Sequence, residues 1–223
     1  MRSQLDQGLG RLLHAMEKPA GRSLYVALAV LVVAAAALFL VFGGRGAPGD
    51  ASPEAGFARD MATHHAQAVA MSFTIRDKSE SGEIKNLAFD IINTQANQRG
   101  MFLGWLEQWE LTQSTDLRPM RWMSGGHGHT QVSASASAET MPGMASAQEL
   151  AELEKLTGVE AEVLFLQLMI RHHQGGVEMA EGLLKLSDRT EVVRMARKIV
   201  DGQQAEIVLM TDLLARRGAS LSS

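Results

Sequence analysis

Residues 57–71 read FARDMATHHAQAVAM, and residues 165–179 read FLQLMIRHHQGGVEM. A shift of 108 positions lays the first stretch on the second without a gap. Phe57 falls on Phe165, Met61 on Met169, His64-His65 on His172-His173, Val69 on Val177 and Met71 on Met179. The register then carries through Ser79 and Ser187, Glu83 and Glu191, Ala88 and Ala196, Ile91 and Ile199, and Gln95 and Gln203. A gapless register through two successive helical patterns marks an internal duplication. Each copy is a helix hairpin that cannot bury its apolar stripe alone. Two such hairpins together make an antiparallel four-helix bundle.

Capping signals bound the hairpins. Ser52-Pro53-Glu54 supplies an N-cap, a proline suited to the first helical position and an acid in the first turn. Periodicity runs to about Lys78, breaks over residues 79–82 and resumes from Glu83 to about Leu111. Ser146 with Glu149, and Thr157 with Glu160, form capping-box patterns that open a short helix and a long one reaching about Leu186. The last helix begins within residues 188–191 and ends near Gly218. Almost no alternating β-branched pattern occurs, so an all-α fold is expected. The bundle should cover residues 52–217: a first hairpin 52–111, a flexible Gly/Ser/Ala-rich connection 112–145 and a second hairpin 146–217. Ile75, Leu87, Ile91, Phe102, Leu103 and Leu106, with Leu183, Met195, Ile199 and Leu214 in the second copy, are expected to pack inward.

Ahead of the bundle, Leu24 to Phe42 reads LYVALAVLVVAAAALFLVF, with no charge, proline or glycine. As a helix rising 1.5 Å per residue, such a run spans about 30 Å, the thickness of a bilayer's hydrocarbon core. Arg2, Arg11, Lys18 and Arg22 precede it, and positive flanks stay in the cytoplasm. The expected organisation is a cytoplasmic segment 1–23, a single-pass cell-membrane anchor 24–42, a linker 43–51 and an extracytoplasmic bundle. The alternative is a cleaved signal peptide, whose apolar region usually measures about 7–15 residues.

The 223 residues contain no cysteine, which removes disulfides, thiolate metal sites and cysteine nucleophiles. The first fifty residues hold five of the 21 basic and three of the 25 acidic residues, so the rest carries net −6. With no polybasic stretch there, nucleic acid is not an expected partner. No serine sits in a nucleophile-elbow context, and no catalytic residue is assigned.

On a helical wheel Met61, His64, His65 and Met71 share an arc of about 120°. Met169, His172, His173 and Met179 repeat it. Imidazole binds copper, zinc, iron and nickel, while thioether sulfur is soft and selects copper, above all Cu(I). The connection adds His127, His129, Met141 and Met144, a second candidate set for copper capture. A purely structural reading stands beside this one. Methionine at helical spacing is ordinary core filler, and a buried histidine can simply hydrogen-bond Gln95 or Gln203. Adjacent helical residues point about 100° apart, so only one of each pair can face the bundle axis squarely.

The motifs MATHHAQAVAM (61–71) and MIRHHQGGVEMA (169–180) are each followed by a second helix, carrying AFDIINTQ (88–95) or ARKIVDGQQAEI (196–207). With MPGM (141–144) ahead of the second copy, the chain resembles the domain-of-unknown-function family 305. The resemblance covers most of residues 52–217. It implies a ferritin-like bundle, usually exported, with some members taking part in periplasmic copper binding and copper tolerance, and no established enzyme activity. By position the signature residues are Met61, His64, His65, Met71, Met169, His172, His173, Met179, Met141 and Met144. Ala66-Gln67-Ala68 departs from the pattern that Gln174-Gly175-Gly176 keeps. A di-iron centre does not follow from the fold, because it needs about four carboxylates. Gln95, Gln98 and Gln203 are amides, and only Glu206 among those positions is acidic. The expected function is copper buffering, storage or delivery outside the cytoplasm, with a copper donor or acceptor protein as partner. The alternative is a non-catalytic structural or interaction bundle.

Overall fold

The computed structural model describes residues 20–42, 46–124 and 141–221. Among these it has six α-helices and no strand: α1 Ala20–Phe42, α2 Pro53–Lys78, α3 Gly82–Gln108, α4 Ala147–Lys155, α5 Gly158–Leu186 and α6 Thr190–Arg216. A 3-10 turn spans Arg121–Ser124. The described residues fall into two separate units, one ending at Ala47 and the other beginning at Pro48.

In the first unit, α1 runs 23 residues and contains the whole apolar stretch. The side chains described there are those of residues 25–36, and all are exposed. Among the described residues, no helix is long and apolar enough to cross a membrane.

In the second unit the caps explain where helices begin. The Ser52 hydroxyl accepts from Ala55 N at 3.2 Å, with Pro53 at the first helical position. Ser81 caps α3 in the same manner. Ser146 and Glu149 form both bonds of a capping box at the start of α4. The second expected box is absent, since Thr157 makes no side-chain cap bond. Gly158, the first residue of α5, takes φ +58, a left-handed conformation that glycine adopts without steric cost. Helix α3 stops at Gln108, short of Leu111, where Glu110 takes φ 58.

Helices α2 and α3 pack as one hairpin and α5 and α6 as the other; α2 and α5 join the two. They run antiparallel. Ser79, just past the end of α2, donates its hydroxyl to Glu162 Oε1 near the start of α5 at 2.5 Å. Ser187, just past the end of α5, donates to Glu54 Oε1 near the start of α2, also at 2.5 Å. The second bond is the first shifted by 108 positions, so a pseudo-two-fold axis relates the halves.

The core consists of two apolar clusters. One holds Met71, Ile75, Ile84, Leu87, Ile91, Phe165, Met169, Leu213 and Leu214. The other holds Phe57, Met61, Phe102, Leu106, Met141, Met179, Leu183, Met195 and Ile199. Along each long helix a buried polar residue or pair sits between them: His64-His65, Gln95, His172-His173 and Gln203. Of the ten residues expected to face inward, nine are buried, and Leu103 is half-buried.

The connection, read from composition as flexible throughout, packs against the bundle at both its described ends. Trp122 lies on Gly56, where an added Cβ would come within 2.5 Å of the indole. Asp60 Oδ2 accepts from Met120 N and Trp122 Nε1, each at 2.8 Å. Burial raises the Asp60 pKa despite these bonds. At the far end, Gln67 Oε1 accepts from Ala145 N at 2.7 Å and its Nε2 donates to Ala145 O at 2.9 Å.

Candidate metal centre

His64 and His65 come from mid-α2 and His172 and His173 from mid-α5, and all four side chains are fully buried. One of each adjacent pair meets the other hairpin, and the second turns into a seam between helices and not to solvent. Two seams meet at these helices, so residues 100° apart both find protein: one ring faces the other hairpin, its neighbour the partner helix of its own hairpin. The rings of His64 and His172 lie 3.7 Å apart between centroids, tilted by 34°. His65 reaches α3, where Nε2 is 2.7 Å from Gln98 Oε1. His173 reaches α6, where Nε2 is 2.6 Å from Glu206 Oε2. These two contacts are duplicates of each other at 108 positions, with an amide in one half and a carboxylate in the other. His64 Nε2 is 3.0 Å from the carbonyl oxygen of Pro142.

Those partners fix the tautomers. Each is an oxygen acceptor, so His64, His65 and His173 donate through Nε2. Burial pushes His64 down to about 4, and burial with the neighbouring His64 pushes His65 down to about 3. Burial, then the facing His64, holds His172 well below the ordinary imidazole value. Neutral His64 and His65 therefore keep a lone pair on Nδ1. The Nδ1 atoms of His64, His65 and His173 are buried with no hydrogen-bond partner, and His172 has no partner at either nitrogen. Imidazoles oriented through one nitrogen and bare at the other form the arrangement that proteins build around metal ions. The donor set accordingly fits a soft or borderline cation. Among the described residues, no group of three or more His, Asp or Glu is placed to hold one ion. Two facing imidazoles with bare nitrogens offer at most a pair of nitrogen donors.

Met61, Met71, Met169 and Met179 are buried in the core. Met61 and Met179 share one apolar cluster and Met71 and Met169 the other, so methionines flank the His layer above and below. Met141 is buried too, and Met144 packs partly buried against the same cluster as Met61. Residues 141–144, read from composition as part of a flexible tract, form a cover over the imidazoles instead. Gly143 adopts φ +74, and a Cβ there would strike Arg171 O; a Cβ at Gly175 would strike Pro142 O. The glycines of Gln174-Gly175-Gly176 thus let the cover and the Gln203 side chain approach α5. Composition hides this, because the cue is glycine inside a helix, a mark of close backbone approach. His127 and His129 lie outside the described residues.

The sequence reading missed Gln98 and Glu206 as the histidine partners in favour of Gln95 and Gln203. Those two amides sit one turn away, buried, with neither amide atom hydrogen-bonded.

The family described as domain of unknown function (DUF305) matches residues 54–214. A DUF305 protein from Streptomyces coelicolor, described as a candidate secreted protein, has a crystal structure with TM-score 0.71 and 46% identity, covering 78% of this chain and 99% of that one. A DUF305 fragment from Deinococcus radiodurans has TM-score 0.61 and 33% identity, covering 77% and 99%. CopM in its Cu(II)-bound form has TM-score 0.54 and 27% identity, covering 74% and 97%. No curated protein matches the chain.

Proposed function

This chain belongs to the DUF305 family, and on that premise we propose that it is a membrane-anchored, extracytoplasmic copper-binding protein. It buffers, stores or delivers the ion through its buried His/Met layer. The observation that carries this reading is the state of the imidazoles: His172 is buried without a partner at either nitrogen, 3.7 Å from a His64 ring whose Nδ1 is equally bare. A buried polar atom left unpaired costs about 1–3 kcal/mol, so several in one layer call for a compensating ligand. Choice of copper rests on the thioethers around the layer and on CopM, which binds it. Support for the anchor comes from the exposed apolar side chains of residues 25–36 and the basic residues before them. A donor or acceptor protein for copper is part of the proposal.

The test is to load the purified full chain with Cu(I), Cu(II) and Zn(II) and measure bound metal after desalting. Retention of copper that His172→Ala abolishes is the expected result. For the topology, protease added to intact spheroplasts should digest the bundle; complete protection would reverse the orientation, and release of a bundle without α1 would indicate cleavage.

One observation favours a second reading, a structural bundle. His65 and His173 each have a close oxygen partner on the adjacent helix, which is what register-fixing histidines need. In that case copper binding is absent, and the histidines serve the metal-free fold alone.

A further inference from the structure

A cavity of about 370 Å³ opens between the first turns of α2 and the segment that follows α3. Sites for small molecules measure about 300–1,000 Å³, so it is large enough for a compact ligand. Its walls are of two kinds. Pro53, Leu117 and Trp122 are apolar, while Arg59, Arg118 and Arg121 are cationic. No residue of the His layer lines it.

The three guanidiniums differ in what they already hold. Arg59 is 5% exposed; its Nε donates to Thr112 O at 2.8 Å, its Nη1 to Asp50 O at 3.1 Å, and it pairs with the Asp50 carboxylate. A guanidinium has five N–H donors, so two of Arg59 remain uncommitted. Arg118 and Arg121 are exposed, and Arg121 N donates to Arg118 O at 3.3 Å, so a single turn presents both side chains. Neither guanidinium has an ion pair or hydrogen bond among the described residues. The acids of the cavity are engaged within its wall. Asp50 is the partner of Arg59, and Asp60 accepts from Met120 N and Trp122 Nε1. That leaves two guanidiniums open to a ligand.

The duplication supplies a comparison inside the same molecule. Gly56, Arg59 and Asp60 correspond to Leu164, Gln167 and Leu168, which line a smaller cavity of about 260 Å³. The arginine there, Arg171, is paired with Glu149 at 2.8 Å. The bundle is thus built at the equivalent place with an apolar, neutralised wall. Helix packing does not require the open cations of the first copy.

We propose that this cavity binds a small phosphomonoester, its phosphate held by Arg118, Arg121 and the uncommitted N–H groups of Arg59, its apolar body resting against Trp122, Leu117 and Pro53. Guanidinium forks match phosphate oxygens in pairs. A phosphomonoester carries about −1.5 to −2 at neutral pH, which answers two open guanidiniums better than a monocarboxylate does. This site is independent of the copper-binding reading above.

The probe is phenyl phosphate, titrated into the full chain in neutral detergent and followed by the indole N–H signal of Trp122. A saturable shift at one equivalent is expected, with inorganic phosphate and benzoate each weaker by at least about tenfold. Arg118→Ala and Arg121→Ala should each weaken phenyl phosphate by about tenfold or more and leave the melting temperature unchanged, since both side chains are exposed and unpartnered. Arg99→Ala, an exposed arginine outside the cavity, should bind as the wild type does. Competition separates two sources of the same chemistry. Displacement of phenyl phosphate by short-chain phosphatidate at lower concentration than by glycerol 3-phosphate assigns a lipid headgroup, and the reverse order assigns a soluble ester. Absence of a saturable shift, benzoate binding as tightly as phenyl phosphate, or equal weakening by Arg99→Ala would overturn the site.

Discussion

The His64 and His172 rings lie 3.7 Å apart and come from equivalent positions of the two repeats, so the duplication meets itself at a pair of neutral imidazoles. Around them the bundle gives up continuous apolar packing for a polar layer of four histidines and two glutamines. The testable consequences divide between what this layer does to the metal-free fold and what it does to a cation.

Acid should unfold the metal-free bundle early. In the unfolded chain His64, His65 and His172 titrate near 6.5. In the folded chain burial lowers His64 to about 4, His65 to about 3, and His172 well below its ordinary value. Between those limits the unfolded state binds more protons, so stability falls as pH falls, by about 1.4 kcal/mol per pH unit for each histidine titrating. Urea midpoints at pH 7, 6 and 5 should decline steadily, and less steeply in His172→Ala. A flat profile would mean that the imidazoles are solvated. The same depression keeps His64 neutral and able to bind a cation well below pH 6.5, lower than an ordinary imidazole would allow.

Arg217 and Glu162 form a buried ion pair at 2.6 Å, at 11% and 5% side-chain exposure. Glu162 also accepts from Ser79. Arg217→Met should cost about 3–5 kcal/mol, because it strands a buried carboxylate, and adding Glu162→Gln should restore much of the loss. The duplicate carboxylate, Glu54, is half-buried and has Trp109 in the place of Arg217. Glu54→Gln should therefore change stability by less than Arg217→Met, which paired chemical denaturation would show.

Two mid-helix glycines should respond to alanine in opposite directions. At Gly202 a Cβ meets open space, and Gly202→Ala should stabilise by about 0.5–1 kcal/mol through helix propensity. At Gly175 a Cβ strikes the Pro142 carbonyl, and Gly175→Ala should destabilise by about 1–3 kcal/mol by overpacking. Amide exchange in residues 141–145 should accelerate in the second variant alone. Equal effects on melting temperature would remove the cover from this picture.

The four histidines should not be equivalent in the metal-free protein. His65→Ala and His173→Ala leave Gln98 and Glu206 without their contacts and should lower stability by about 1–3 kcal/mol beyond the cavity. His172→Ala removes no hydrogen bond, so only the lost volume counts. Thermal melts of the single variants decide this, and a His172→Ala loss larger than that of His65→Ala would contradict it.

The hairpins were legible because their periodicity and register are local, surviving a shift of 108 positions through both helices. Which helices touch was not. The bonds Ser79–Glu162 and Ser187–Glu54 span 83 and 133 residues and exist only once α2 lies antiparallel on α5. The histidines were legible as a set, but their partners were displaced by one turn, from Gln95 and Gln203 to Gln98 and Glu206. A wheel gives the face of a helix and leaves open how far along its neighbour that face docks. The cover over His64 was hidden for a different reason: Met141–Ala145 has loop composition, and its docking depends on Gly143 and Gly175 making room.

The most direct test is nitrogen-15 NMR of the imidazoles in the full chain as one equivalent of Cu(I) is added under anaerobic conditions. His64 Nδ1 and a ring nitrogen of His172 should shift to metal-bound positions, while the Nε2 signals of His65 and His173 keep their hydrogen-bonded shifts. Tight Cu(I) binding with the His64 and His172 resonances unmoved, or no binding at all, would contradict a buried His-layer site.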